Sequence, residues 1–262
     1  MEEQGGFRAK RSCVDQVFTL RQVMEKVIEK RREIFVAFID LEKAYDRVNR
    51  MKMWEALRQA QVGEGLVRAV KSLYIECEAR VKVGEKHSEW FKADQRVRQG
   101  CTLSPWLFNA FLDNIVKEAR EGFKEGVRLG NETVDVLLFA DDMVLVADSE
   151  ESLQVNLKKL DETLTKWEMK MNWEKTEVMK AGRERGHCCV EVMDRKLESV
   201  EVAKYLGIMI SGDGRMEEEI RSRIGKVARV IGVLNELVWK QKEMSRKTIR
   251  KVYNAIVVPT RV

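Results

Sequence analysis

Six consecutive apolar residues, Ile34-Phe35-Val36-Ala37-Phe38-Ile39, end abruptly at the charge of Asp40. This is the longest such run in the chain, and it is far short of the roughly 18 residues that a membrane span needs. It is apolar on both faces, so it must be covered on both faces, which predicts a central strand rather than an edge. A strand of that kind demands a layered domain. The chain can supply one: 262 residues, 44% hydrophobic and 35% charged, exclude a disordered or fibrous protein, and Pro105 and Pro259 are its only prolines. At about 150 residues per domain the length allows one large domain or two small ones.

The flanking patterns read as helices and hairpins. Residues Val14 to Arg31 place Val17, Leu20, Met24 and Val27 on one stripe, which predicts an amphipathic helix lying on the sheet. Met51 to Ala60 and Leu66 to Tyr74 are two short helical patterns separated by Gly63 and Gly65. Alternation at Arg80–Val83 and at Glu89–Lys92 around Gly84-Glu85-Lys86 predicts a hairpin with one wet face. A helix is expected from Ser104 as N-cap, with Pro105 in the first helical position, to about Arg120. Val134 to Ala140 and Met143 to Ala147 read as strands joined by Asp141-Asp142 in a tight hairpin. Ser152 to Met169 carries Leu153, Leu157, Leu160, Leu164 and Trp167 as a core-packing helix, and Val202 to Ile210 reads as one late strand closed by Gly212-Asp213-Gly214. Residues 217–257 read as basic helix. The fold class predicted is α+β.

Net charge is +5, and from Arg215 onward twelve Lys/Arg face five acids, so this tail carries +7 and the remainder is −2. A localised basic face suits a phosphate backbone, although a merely solvated helix surface has the same composition. The five cysteines, Cys13, Cys77, Cys101, Cys188 and Cys189, are an odd number with no export signal ahead of them, which predicts free thiols and an intracellular address, nucleus or cytoplasm. His187-Cys188-Cys189 has no second ligand pair at zinc-binding spacing.

Three carboxylates terminate apolar strands: Asp40, and Asp141 with Asp142. If the first strand lies beside the hairpin, Asp40 and Asp141 converge, and such a cluster is too repulsive to stay ionised without a cation. Mg²⁺ takes one or two carboxylates plus substrate phosphates. Two such ions about 3.5–4 Å apart clamp the attacking and leaving oxygens of phosphoryl transfer. The chemistry predicted is nucleotidyl transfer or its hydrolytic relative. Spacing alone leaves the bland alternative open, with Asp-Asp as turn residues and Asp40 as a strand terminator.

The residues around these acids resemble a known family. Phe38-Ile39-Asp40-Leu41-Glu42-Lys43-Ala44-Tyr45-Asp46-Arg47-Val48 resembles the first catalytic motif of reverse transcriptases of non-LTR (LINE-type) retrotransposons. Arg98-Gln99-Gly100-Cys101-Thr102-Leu103-Ser104-Pro105 is similar to their second palm motif, and Phe139-Ala140-Asp141-Asp142 to the third. Asn172-Trp173-Glu174-Lys175-Thr176-Glu177 and Tyr205-Leu206-Gly207 resemble the next two, and Gly6-Phe7-Arg8-Ala9-Lys10-Arg11-Ser12 the segment leading from fingers into palm. The motifs stand in family order.

This resemblance implies RNA-directed DNA polymerisation on a palm, a ferredoxin-like antiparallel sheet backed by helices. It implies a connecting segment over residues 1–33, the palm over 34–210 and a partial thumb of basic helices over 211–262. Asp40, Asp141 and Asp142 become catalytic and metal-holding, with Mg²⁺, or Mn²⁺ in its place, as cofactor. Leu41, Tyr45, Gln99, Gly100 and Lys175 become nucleotide-binding, with the Tyr45 ring as a gate against a 2′-hydroxyl. Tyr205, Leu206 and Gly207 become the primer grip. The partners implied are an RNA template, a DNA primer and deoxynucleoside triphosphates, with no membrane. Thr102 stands where many relatives have proline, and so little chain precedes Gly6 that the fingers are expected to be largely absent. A remnant that binds nucleic acid without turnover, or an unrelated two-metal nuclease, are the competing readings.

Overall fold

In the computed structural model, which describes residues 3–75, 78–92, 96–98, 100–241 and 243–260, β1 (Ile34–Ile39) is the middle strand of a five-stranded sheet. Its neighbours are β2 (Val136–Phe139), β3 (Asp142–Ala147), β4 (Glu177–Ala181) and the two-residue edge β5 (Glu198–Ser199), in the order β5-β4-β1-β3-β2. All pairings are antiparallel except β5 with β4. Removing that short edge leaves the order 4-1-3-2 of a βαββαβ unit, the ferredoxin-like arrangement.

Alternation along β1 divides the core in two. Ile34, Val36 and Phe38 face one layer, Ala37 and Ile39 the other, and all five are buried. The first layer is α1 (Cys13–Glu29), whose Val17, Leu20, Val23, Met24 and Val27 lie on the sheet. A capping box starts this helix: the Asp15 N–H donates to Ser12 Oγ at 3.3 Å and the Ser12 N–H to Asp15 Oδ2 at 2.8 Å. The second layer holds α2 (Arg50–Gln59), α3 (Glu64–Ser72), α4 (Ser104–Arg120) and α5 (Glu150–Lys166). Phe111 of α4 meets Trp167 edge-on at 5.5 Å where α4 packs on α5.

Several sequence expectations are corrected in detail. The run from Val134 is not one strand: Glu132–Val134 pairs back on Val127–Leu129, and β2 begins only at Val136. At the break, Asp135 accepts from Arg120 Nε at 2.8 Å, anchoring the chain between the two pairings. The hairpin turn is Ala140-Asp141 rather than Asp141-Asp142, because Asp142 already pairs with Phe139. Helix α4 begins at Ser104 itself, with Leu103 in the cap position and near-helical at φ −83°, ψ −28°. The late strand is a hairpin, β6 (Val202–Tyr205) and β7 (Ile208–Ser211). It reverses at Leu206 (φ +47°) and Gly207 (φ +86°), the doubly left-handed turn that matches strand twist.

The arm at 78–92 is a hairpin in two pieces, Glu78–Ala79 with Phe91–Lys92 and Lys82–Val83 with Lys86–His87, but it turns at Gly84-Glu85 because Lys86 already pairs, and it is wet on both faces rather than one, with Val81, Val83, Trp90 and Phe91 all exposed. Beyond β7, α6 (Glu217–Leu234) carries Glu217, Glu218 and Glu219 in its first turn, where the helix dipole favours acids, and α7 (Arg246–Val252) follows. Cys13, Cys101, Cys188 and Cys189 are free thiols; Cys77 lies outside the described residues. Among the described residues no helix is long and apolar enough to cross a membrane.

The α4–α5 contact yields the first prediction. Phe111→Ala removes a fully buried ring and should cost about 3–5 kcal/mol in urea unfolding; a loss under about 1 kcal/mol would contradict this packing.

Candidate active site

The sheet register assembles the carboxylates. Ile39 pairs with Met143, so the next residue on each strand is Asp40 on one side and Asp142 on the other, with Asp141 in the adjoining turn. All three stand at one end of the two central strands. Their proximity is visible in the Asp142 carboxyl, which titrates above the ordinary carboxylate range because of partial desolvation first, then repulsion from Asp141 and Asp40.

The segment after α5 closes against Asp40. Leu41 and Met171 form an isolated antiparallel bridge, the Glu42 N–H donates to the Lys170 carbonyl at 3.0 Å, and the Asn172 N–H donates to the Asp40 carbonyl at 2.8 Å. The Asn172 carboxamide also donates to Asp40 Oδ2 at 3.1 Å, and Lys175 Nζ lies 3.8 Å from the same oxygen. Two motifs whose contacting residues, Asp40 and Asn172, stand 132 positions apart thus share one carboxylate. The ion pair is exposed and worth little to stability, so its interest is positional.

Two tyrosines bracket the acids from opposite faces of the sheet. Tyr45 stacks on Phe108, centroids 4.6 Å apart at 14°, and its hydroxyl is pushed up by burial and by the charge of Asp141. Tyr205 is buried against Phe38 at 5.8 Å, and burial followed by Asp142 raises its hydroxyl too. The Tyr205 hydroxyl oxygen is buried and has no hydrogen-bond partner among the described residues. Leu206 is half-buried and Gly207 exposed at the tip of this hairpin.

Gly100 lies in a loop tied to Tyr45. The Val97 N–H donates to the Tyr45 carbonyl at 3.1 Å, the Arg96 N–H to the Val48 carbonyl at 3.1 Å, and Arg50 Nε to the Arg96 carbonyl at 3.2 Å. Gly100 is exposed at φ +79°, a conformation that strains any other residue, with open space where a side chain would project. Gln99 lies outside the described residues. The Leu41 side chain is buried in the helical layer of the core and does not point into the site. The structure therefore brings Asp40, Asp141, Asp142, Tyr45, Tyr205 and Lys175 together.

Among the described residues no three His, Cys, Asp or Glu side chains form a closed ligand cluster. The Asp40 carboxylate is instead drawn toward Asn172 and Lys175. The donors nevertheless fit a hard divalent cation, which takes carboxylate oxygens from the protein and completes its shell from water and substrate phosphates. The unrelieved repulsion at Asp142 is the electrostatic side of that fit.

Sequence reasoning passed over three buried carboxamides behind the turn. Gln4 Oε1 accepts from the Ala140 N–H at 2.9 Å and from the Gly6 N–H at 2.8 Å, while Gln4 Nε2 donates to the Ala140 carbonyl at 3.3 Å. Gln16 Nε2 donates to the Glu3 and Leu138 carbonyls, and Asn109 Nδ2 to the Gly6 carbonyl at 2.7 Å. Gln16 and Asn109 were detectable, since each interrupts an otherwise apolar helical stripe.

A sheet of this order, with paired acids at the turn of its β2–β3 hairpin and helices on both faces, has the architecture of a polymerase palm. Among solved structures the chain resembles telomerase from Candida tropicalis in complex with a TWJ fragment of telomeric RNA, at TM-score 0.58 and 15% identity over 98% of this chain and 42% of that one. It resembles apo telomerase from the same organism at TM-score 0.57 and 16% identity, over 81% and 36%. Residues 1–210 match the reverse transcriptase (RNA-dependent DNA polymerase) family, and the chain belongs to it. Its relatives are proteins of non-LTR retrotransposons. It is 29% identical over 223 residues to the Pol polyprotein of the R2DM element of Drosophila melanogaster, covering 81% of this chain and 21% of that protein. It is 26% identical over 212 residues to that of an R2 element of Nasonia vitripennis, covering 77% and 20%. The chain thus spans about a fifth of the length of these relatives.

The raised Asp142 carboxyl has a definite consequence for stability. An acid whose folded pKa lies above its unfolded value favours the folded state at low pH, and that advantage is lost as pH rises through the folded pKa. With divalent cations chelated, Asp142→Asn should therefore raise Tm at pH 7 and leave it unchanged at pH 3. A gain confined to acid pH would contradict the assigned electrostatics.

Proposed function

We propose that this chain is the palm of an RNA-directed DNA polymerase that extends a DNA primer on an RNA template from deoxynucleoside triphosphates. The observation that carries the reading is the convergence of Asp40, Asp141 and Asp142 at the end of the central strands, with Tyr45 beside them. Asp40 and Asp141 are assigned as ligands of Mg²⁺, or of Mn²⁺ in its place, with Asp142 as the third acid near the primer terminus. Divalent ions held by these carboxylates would supply the positive charge that offsets the negative charge developing on the attacking and leaving oxygens. In the reaction the primer 3′-hydroxyl gives up its proton to water, its oxygen bonds to the α-phosphorus, and the bond from that phosphorus to the bridging oxygen breaks as pyrophosphate leaves.

The other residues have roles set by position. Lys175, beside Asp40, is placed to meet the triphosphate, and Gly100 permits close approach of nucleotide or template to the backbone. Tyr45, held flat against Phe108, presents a rigid ring that excludes a 2′-hydroxyl. The hairpin tip Tyr205-Leu206-Gly207 supports the primer end, and the basic helices of 211–262 act as the beginning of a thumb, tracking the duplex by its phosphates. Residues 1–33 connect into the palm at 34–210. An intracellular site of action, nucleus or cytoplasm, follows from these substrates.

Primer extension on an RNA template tests the reading. Asp40→Asn and Asp141→Asn should each lower Mg²⁺-dependent incorporation by at least about a hundredfold. Equal, nonzero rates in wild type and Asp40→Asn would overturn the catalytic assignment. Salt-sensitive binding without any extension by the wild type would establish a non-catalytic binder instead. Tyr45→Val should raise the relative use of ribonucleotides by about tenfold or more; unchanged sugar discrimination would remove the gate from Tyr45.

A further inference from the structure

We infer that Gln4 is a positioning residue for the catalytic carboxylates, holding the peptide at Ala140 so that Asp141 is aimed at the cation site; this rests on the polymerase reading above. Gln4 is 1% exposed, and its backbone already extends the sheet. The Leu138 N–H donates to the Glu3 carbonyl at 3.2 Å and the Gly5 N–H to the Leu138 carbonyl at 2.7 Å. From there its side chain reaches two residues further, to Ala140, the residue directly before Asp141.

The chemistry of the contact is specific. A carboxamide carries one acceptor and one donor group side by side, the complement of a peptide unit's N–H and C=O. Gln4 satisfies both on the same residue, as a strand neighbour would, at a point where the chain leaves the ladder and no strand is available. That residue needs holding. Ala140 sits at φ +55°, in the left-handed region that a Cβ disfavours, and such a conformation persists only where its surroundings over-determine it.

The segment is built to allow the contact. Gly6 passes so close that a Cβ there would stand 2.2 Å from the Ala140 nitrogen. Its N–H shares Gln4 Oε1, and its carbonyl is held by Asn109. Neither the acids nor the tyrosines touch Gln4 in any of these bonds, so its influence on the site passes through the Ala140-Asp141 turn. A carboxylate displaced by about 1 Å costs a catalytic site on the order of a hundredfold.

The test uses the full chain and Gln4→Met, which keeps side-chain length and removes every bond to Ala140. Ile115→Val, a core change remote from the turn, serves as the stability control. Mn²⁺ binding without nucleotide, followed by water-proton relaxation, should weaken about tenfold in Gln4→Met and stay unchanged in the control. The Mg²⁺ concentration for half-maximal primer extension should rise in parallel. Unchanged Mn²⁺ affinity in a folded Gln4→Met protein overturns the proposal. Amide hydrogen exchange supplies a readout that does not depend on the variant folding: in the wild type, Ala140 should be protected like the strand amide of Leu138. Exchange as fast as at the exposed turn residue Gly207 would sink the proposal. If the wild type neither binds Mn²⁺ nor extends a primer, the polymerase reading fails, while protection at Ala140 still decides whether Gln4 holds the turn.

Discussion

Three like charges held at one end of two paired strands form the constraint around which this molecule is arranged. Carboxylates repel, and nothing in their own chemistry brings Asp40 to Asp142 across a hundred residues. The hydrophobic register of β1 against β3 does so. Slipping that register by one residue would turn Ile34, Val36 and Phe38 toward the wrong layer, so the alternation that buries the strand also fixes where its terminal acid stands. Burial of apolar side chains is worth roughly 25 cal/mol per Å², and it is spread over both faces of the sheet. Against it, the repulsion felt at a partly solvated Asp142 is small.

Around that core the functional contacts come in pairs from distant segments. The Asn172–Lys175 turn meets Asp40, the loop before Gly100 is sewn to the backbone of Tyr45, and the 202–211 hairpin places Tyr205 against Phe38. The first two are short irregular segments tied to a rigid element by backbone hydrogen bonds, and the third is a hairpin seated on the sheet by its ring contact. This is the common division of labour between scaffold and site. The N-terminal segment belongs to the same scheme: Gln4 ties it to the aspartate turn at Ala140, Gln16 to the strand carbonyl of Leu138, and Asn109 of α4 holds its Gly6 carbonyl.

Much of this was legible in the residues. β1 was readable as central because an apolar run without alternation needs two covers, and the helices at 13–29 and 150–166 because their stripes repeat at helical spacing. Asp40 and the acid pair stood out as charges terminating such runs. What escaped depends on contacts that no local pattern encodes. The turn moved by one residue because Ala140, not a glycine, takes the left-handed conformation, supported by a side chain 136 positions away. The break at Asp135 follows from an arginine on another helix. The 202–211 hairpin reads in sequence as a single strand, because the apolar residues on both sides of Gly207 form one apparent run and only the left-handed Leu206-Gly207 pair divides it.

Sheet register holds the three carboxylates in one electrostatic field, which under the proposed function a divalent cation relieves. Carbon-13 NMR titration of the Asp142 carboxyl measures that field directly. The account predicts titration above about 3.9, the ordinary aspartate value, in the cation-free chain, and a downward movement both on adding Mg²⁺ and in Asp40→Asn. An Asp142 that titrates at or below the ordinary value, indifferent to Mg²⁺ and to the loss of charge at Asp40, would contradict it.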